Sequence, residues 1–282
     1  MKHLCGMFVL FLVVLATPRS GRAANFQIKK AAEGVYAALA VPGGEAASNA
    51  LIIVADDEVI IAGAHFVAAT MKELTEDVAK ITPLPIKHVI LTHHHKGFNY
   101  IDFDFPPGAE VIMSWQTWQA LKSEYREFKH DMLLFDRAVT IQRGGLTITL
   151  NNTELGHTEG DVVVYIPSKS LLFTSDLFFN GVVGYMGDGH MRDWIINLEV
   201  LEGLGARVVV PGLGGITDGT GIKRFRLFFK DFMTEVLRHI EKGDTLKQTI
   251  KNFHLQQYES LPGYRTFLDA NIAGAYNDLK DQ

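Results

Sequence analysis

The chain has 282 residues, of which 47% are hydrophobic and 21% charged, and its formal net charge is −5. This composition indicates a globular protein with a sizeable core and excludes a disordered, collagen-like or coiled-coil chain. The lack of a basic excess argues against nucleic acid as a partner. Cys5 is the only cysteine, so no disulfide can form within the chain.

Residues 1–23 predict a secretory signal peptide. Lys2 and His3 precede an apolar run over 4–16, and small residues follow up to the expected cleavage near Ala23. The run is shorter than the ~20 residues that a membrane-spanning helix needs, although an uncleaved anchor is the alternative. We therefore expect an exported protein, periplasmic or secreted, with one domain over residues 24–282 and no membrane attachment after cleavage. That domain lacks cysteine, which excludes thiolate ligands and cysteine nucleophiles.

Hydrophobic periodicity predicts strands and helices in two successive batches along this domain. In the first batch, strands are predicted over 34–41, 50–55, 58–62, 88–92 and 110–114, with helices over 68–81 and 115–128. In the second, strands are predicted over 139–141, 146–150, 162–166, 171–174 and 207–210, with helices over 191–204, 223–241, 245–253 and 264–280. Two batches of strands with helices between them favour two sheets packed face to face with helices outside, an α/β fold in four layers.

Three consecutive histidines, His93, His94 and His95, follow the predicted strand over 88–92. In an extended segment, residues i and i+2 point to one side. His93 and His95 could therefore reach one metal ion while His94 faces away. Taken alone, the run is equally compatible with an exposed polar loop.

Two later residues favour the metal-site interpretation. His157 lies in a glycine-flanked turn between strands, and Asp176 follows the buried strand that we predict over 171–174. Each alone is more typical of a loop histidine or of a turn cap. Together with the histidine run, they lie at strand ends of one sheet-rich segment, where their side chains can converge.

The order of these motifs resembles that of the metallo-β-lactamase-fold superfamily, and in particular its exported bacterial members of the quinoprotein-relay zinc hydrolase type. That family has H-x-H-x-D-H, then G-H-T-x-G-D, then a strand ending in aspartate, then P-G-H-G. The corresponding segments here are 93–98, 156–161, 173–176 and 211–214. The resemblance extends from about residue 34 to the C-terminus. It implies the four-layer αββα sandwich of the metallo-β-lactamase fold, with His93, His95 and His157 as the first metal site.

The sequence departs from the family at the second metal site. The loop aspartate, the last loop histidine and the P-G-H-G histidine correspond to Gly97, Phe98 and Leu213, and a further acidic position corresponds to Gly63. Of the second site's usual ligands, only the bridging Asp176 remains. Because apolar volume satisfies close packing, we expect an erased second site in which Phe98 and Leu213 touch. Decay of a redundant copy is the alternative.

The resemblance and its departures imply a hydrolase with one metal ion. Zn²⁺ held by the three histidines, with Asp176 as a fourth ligand or as the group that orients a metal-bound water, would cleave an ester, amide, lactone or thioester of a small molecule. Poor β-lactam hydrolysis is expected because the second metal and the loop aspartate are missing. The candidates for proton transfer are Asp176, Lys96, His190 and Asp161.

Two other functions remain open at this point. One is a binding protein with little or no catalytic activity that keeps one structural metal. The other is a mononuclear iron oxygenase, in which two histidines and Asp176 would hold Fe²⁺. A glycine-rich loop over 184–190 is expected beside the site, and the oligomeric state is left open.

Overall fold

The computed structural model describes residues 24–95, 105–124 and 128–280. The predicted signal peptide, Lys96, Gly97 and Phe98 lie outside the described residues. The expected contact between Phe98 and Leu213 therefore stays a prediction.

Seven strands form the first sheet, in chain order. They are β1 (Phe26–Ala32), β2 (Val35–Ala40), β3 (Ala50–Val54), β4 (Val59–Gly63), β5 (Ile86–Leu91), β6 (Glu110–Ser114) and β7 (Met132–Phe135). Neighbouring strands are antiparallel from β1 to β4 and parallel from β4 to β7. The carboxyl ends of β4 and β5 therefore lie at the same edge of the sheet.

Five strands form the second sheet, in the order β12-β11-β10-β9-β8. They are β8 (Ala138–Arg143), β9 (Leu146–Asn152), β10 (Val162–Ile166), β11 (Leu171–Asn180) and β12 (Val208–Gly214). The pair of β11 and β12 is parallel, and the other pairs are antiparallel. The parallel pair carries one edge of the candidate site.

Six helices cover the outer faces of the two sheets within the described residues. They are α1 (Ala68–Ile81), α2 (Trp115–Leu121), α3 (Met191–Gly203), α4 (Gly219–Glu241), α5 (Leu246–Asn252) and α6 (Tyr264–Lys280). One apolar cluster joins α1 and α2 to the first sheet, a second lies between the sheets, and a third joins α3 to α6 to the second sheet. The predicted four-layer αββα sandwich is confirmed. Among the described helices, none has the length and apolarity needed to cross a bilayer.

The structure corrects several predicted elements. The strands β1 and β7 were not predicted, because their side chains are mostly half-buried or exposed and show no clear alternation. The prediction that a strand ends just before Asp176 is wrong, since β11 continues to Asn180 past a break at Ser175, whose φ is +47°. The strand β12 likewise continues through Pro211, which pairs with Ser175, and α2 ends at Leu121.

The segment before β3 fastens the two sheets together at the site edge. Asn49 Nδ2 donates hydrogen bonds to the carbonyl oxygens of Pro211 (2.8 Å) and Gly214 (3.0 Å), and Asn49 Oδ1 accepts one from the Ala40 backbone (2.8 Å). The Asn49 backbone N–H donates to the Gly212 carbonyl at 2.7 Å. These buried bonds hold β12 against β2 and β3, and so fix the distance between the strand ends that carry the histidines and Asp176.

Candidate metal centre

His93 and His95 leave the carboxyl end of β5 in an extended segment. The Thr92 backbone N–H donates to Gly63 of β4, and the Thr92 carbonyl accepts from Val162 of β10. This residue therefore ties the histidine segment to both sheets. The alternation expected of an extended segment is observed, since His93 and His95 point into one cluster and His94 lines a different cavity with Gln116 and Thr117.

His157 is placed by a tight turn before β10. Asp161, which is buried, accepts hydrogen bonds from the Thr158 backbone N–H (3.0 Å) and from Thr158 Oγ1 (2.7 Å). A Cβ on Gly156 would lie 2.8 Å from both Asp161 Oδ2 and the Leu177 side chain, so a larger residue there would displace one of these side chains. Asp161 thus braces the turn, and burial raises its pKa to about 7. Asp161 is not among the residues that line the cavity next to the histidine cluster. This position does not support the proton-transfer role that the sequence suggested for it.

Asp176 enters the cluster from β11. Its Oδ1 accepts a hydrogen bond of 2.5 Å from Ser48 Oγ, and its Oδ2 faces the histidines, at 3.7 Å from His93 Nε2 and 3.8 Å from His157 Nε2. A Cβ on Gly212 would lie 2.0 Å from Asp176 Oδ1. The carboxylate is therefore held between Ser48 on one side and a bare stretch of backbone on the other.

The cluster contains a fourth histidine, His65, which sequence analysis missed. It lies in the turn between β4 and α1, next to the histidine segment because β4 and β5 are parallel neighbours. His65, His93, His95 and His157 each offer a nitrogen, and these ligand atoms all lie within 4.8 Å of one another. A single histidine after a strand matches no metal-binding motif, so the sequence did not point to His65. The unusual feature of this residue is its φ of +55°, which a sequence does not reveal.

The electrostatics of the cluster suit a divalent cation. Burial lowers the pKa of His93, His95 and His157, so these imidazoles are neutral at physiological pH. Burial opposes ionisation of Asp176, but the hydrogen bonds from His65 and Ser48 outweigh it and lower the pKa of this carboxyl. Neutral imidazoles and an ionised carboxylate are the forms that bind metal.

The orientation of His95 is set by a loop that follows β11. Its Nδ1 lies 2.8 Å from Asp188 Oδ2, and Tyr185 Oη donates to Asp188 Oδ1 at 3.0 Å. A carboxylate that accepts from one ring nitrogen directs the lone pair of the other nitrogen towards a metal. The glycine-rich loop over 184–190 thus lies beside the site, as expected, although the sequence did not single out Asp188.

The places of the family's second-site ligands contain apolar groups where the structure describes them. Leu213 lines the cavity beside the cluster. At Gly63 a Cβ would lie 2.8 Å from the ring of the buried Phe66, so a carboxylate there is incompatible with this packing. The expectation that only Asp176 would remain as a donor on this side is incomplete, because His65 reaches it from the turn just beyond Gly63.

A cavity of about 400 Å³ opens beside the cluster. Its lining combines cluster residues with largely apolar groups: Ala47, His65, His95, His157, Asp176, Phe179, Tyr185, Asp188, Leu213 and Phe267. Its volume lies in the range of small-molecule sites. His190 instead borders the other cavity, next to His94, and its Nδ1 lies 3.9 Å from Asp278.

Comparisons with known proteins agree with this architecture. Residues 109–213, which include His157 and Asp176, match the model of the metallo-beta-lactamase superfamily. A metallo-beta-lactamase from Pontibacter korlensis superposes with a TM-score of 0.61 at 20% identity, covering 73% of this chain and 99% of that chain. The DIM-1 metallo-beta-lactamase gives 0.59 at 20% identity (74% and 98%), and VMB-1 at pH 5.5 gives 0.60 at 20% identity (73% and 97%). Curated protein sequences give no match.

The fold and the cluster define an αββα protein with a histidine group that could hold a metal ion. At about 20% identity the solved structures establish the fold alone. With the superfamily match over residues 109–213, they show that the chain has the metallo-β-lactamase fold.

Proposed function

We propose that this protein is a hydrolase with one Zn²⁺ ion, held by His93, His95 and His157 with Asp176 beside them, that cleaves an ester, amide, lactone or thioester. The observation that carries the proposal is the convergence of these side chains from three separate segments beside one cavity. Nitrogen donors with one carboxylate suit zinc, which binds both at about 2.0–2.2 Å. Bound zinc would act as a Lewis acid and lower the pKa of a coordinated water to about 7.

The residues around the ion have distinct roles in this proposal. Asp176 Oδ2 accepts the proton of the attacking water, because Ser48 already occupies Oδ1 and Oδ2 is the oxygen that faces the histidines. Asp188 keeps His95 in the ring orientation and tautomer that a ligand needs. Neither role requires a carboxylate at position 97, where the family has its loop aspartate and this chain has glycine.

The cavity favours an uncharged substrate. Phe179, Leu213 and Phe267 form an apolar wall, and none of the described lining residues is lysine or arginine. A carboxylate or phosphate on the substrate would therefore have no cationic partner among them. We infer a small molecule with a neutral, apolar acyl group, which agrees with the expectation that β-lactams, usually anionic, are poor substrates.

The cellular setting is part of the same proposal. The apolar segment over 4–16 and the small residues that follow it support export to the periplasm or beyond the cell. N-terminal analysis of protein from the culture fluid or periplasm would test this, with cleavage near Ala23 expected. Full-length protein retained in the membrane would contradict it.

Elemental analysis with an activity assay tests the main proposal. Protein without a histidine tag, purified after zinc supplementation, should contain one zinc per chain and hydrolyse neutral esters, thioesters or lactones. Chelation should remove both metal and activity. Protein without bound metal would overturn the proposal, and iron with oxygen uptake would select the oxygenase instead. Zinc that stabilises the fold without any turnover would indicate a structural metal.

A further inference from the structure

We propose that His65 is a fourth imidazole ligand to this same ion. The inference rests on the proposed metal centre and goes beyond the three histidines of the family's first site. His65 Nε2 lies 3.1 Å from His93 Nε2 and 3.5 Å from Asp176 Oδ2, and its side chain is 10% exposed. The nitrogen thus points into the cluster and away from solvent.

The backbone at His65 supports this assignment. Its φ of +55° lies in the left-handed region, which is unfavourable for a residue with a side chain. Such conformations persist where the surroundings hold them, and they concentrate at functional sites. Here the conformation turns the chain back beyond β4 while Phe66 packs over Gly63, which leaves the His65 ring stacked 5.4 Å from the ring of His95.

The distances between ring nitrogens fit a single ion. Four ligands at about 2.0–2.1 Å in tetrahedral geometry lie roughly 3.3–3.4 Å apart. The four nitrogens form two close pairs, His65 with His93 at 3.1 Å and His95 with His157 at 2.9 Å. A central ion would need to widen each pair by a few tenths of an ångström and to draw the two pairs towards each other, since the four ligand atoms lie within 4.8 Å of one another.

A fourth imidazole has a consequence for the chemistry. The four imidazoles would fill the usual positions of zinc, so water or substrate must enter as a fifth ligand, an expansion that catalytic zinc sites undergo. The cavity of about 400 Å³ borders His65, His95, His157 and Asp176, so a fifth ligand can approach from it.

The test measures metal binding by variants of His65 whose new residue tolerates the positive φ at this position. His65→Asn suits it because asparagine tolerates a positive φ, and His65→Gly provides a second variant with no side chain. His190→Asn is the matched control, since His190 lies near the site but outside the cluster. Circular dichroism of each metal-free protein reports the fold, competition with a chelator gives the Zn²⁺ affinity, and the visible spectrum of the Co²⁺-loaded protein reports ligand geometry.

We expect both His65 variants to bind one ion with an affinity lower by about 100-fold or more, since loss of even a hydrogen-bond partner of a ligand costs 10–100-fold. Their Co²⁺ spectra should differ from wild type, while His190→Asn should match it. X-ray absorption of the zinc-loaded wild type should count four imidazoles. Unchanged affinity and spectrum, or a count of three, would overturn the role of His65. In that case, loss of metal binding in His157→Ala would still support the proposed metal-dependent hydrolase. A wild-type protein that binds no ion would refute both the proposed function and the role of His65.

Discussion

The two sides of the histidine cluster differ in how they relate to the family pattern. On the side of His93, His95 and His157, every expected donor is present and buried or nearly so. On the opposite side, Leu213 and the Phe66 ring over Gly63 replace donors, and among the described residues the nitrogen that enters comes from His65. The comparison shows that the edge formed by adjacent strand ends defines the site, and that different positions along this edge can supply its donors.

The largest expected effect is that of removing a ligand from the complete side. His157→Ala should abolish metal binding and hydrolysis. It should also remove the stabilisation by zinc, which is about 2.7 kcal/mol when free zinc exceeds its dissociation constant 100-fold. Thermal unfolding with and without zinc measures this. His254→Ala, at an exposed position far along the chain, is the control, and an equal zinc-dependent shift in both variants would contradict the assignment.

A smaller effect is expected when the support of a ligand is removed. Asp188→Asn should lower zinc affinity by about 10–100-fold, because the amide holds the His95 ring less firmly than a carboxylate. Tyr185→Phe removes only the hydroxyl that holds Asp188, so its effect should be weaker. Chelator competition measures both variants, and equal affinities for Asp188→Asn and wild type would show that His95 needs no such support.

The apolar side can be tested through substrate choice. Leu213→Lys should lower kcat/KM for a neutral ester by roughly 10-fold, on the scale of a lost apolar contact in a pocket. It should lower kcat/KM less for an analogue that carries a carboxylate, because the new ammonium group can pair with it. Leu213→Met, similar in volume and polarity, is the control. A uniform loss for both substrates would contradict a role of this wall in specificity.

The smallest effect concerns pH in the metal-free protein. The folded state lowers the pKa of His93, His95 and His157 below their ordinary value of 6.5, so the unfolded chain binds more protons in acid. The free energy of unfolding should therefore decrease as the pH falls below about 6.5. Urea unfolding between pH 5 and 7.5, with metal removed, measures this decrease.

Asp161 contributes with the opposite sign. Its folded pKa of about 7 exceeds its ordinary 3.8, so its contribution to stability is present in acid and is lost as the pH rises towards 7. Asp161→Asn should make the loss of stability in acid steeper than in wild type. An unchanged dependence would mean that this carboxyl is ionised in the folded protein.

Part of this site could be predicted from sequence because its residues are tied to regular structure. His93, His95, His157 and Asp176 follow or lie in strands with clear apolar runs, and the αββα arrangement brings those strands together. His65 and Asp188 could not be predicted, because their positions depend on a positive φ in one turn and on the path of an irregular loop. The same reason explains the end of β11, where Ser175 breaks the strand without ending it.

Gly212 and Leu213 are neighbours under opposite constraints. At position 212 any side chain would collide with the Asp176 carboxylate, whereas at 213 the side chain lines a cavity. Substitution should therefore be tolerated unequally at these two positions. Position 213 can carry either histidine or leucine, whereas position 212 must remain glycine. Gly212 is therefore required by the position of the Asp176 carboxylate, and this requirement would persist even in a relative that had lost its metal ligands.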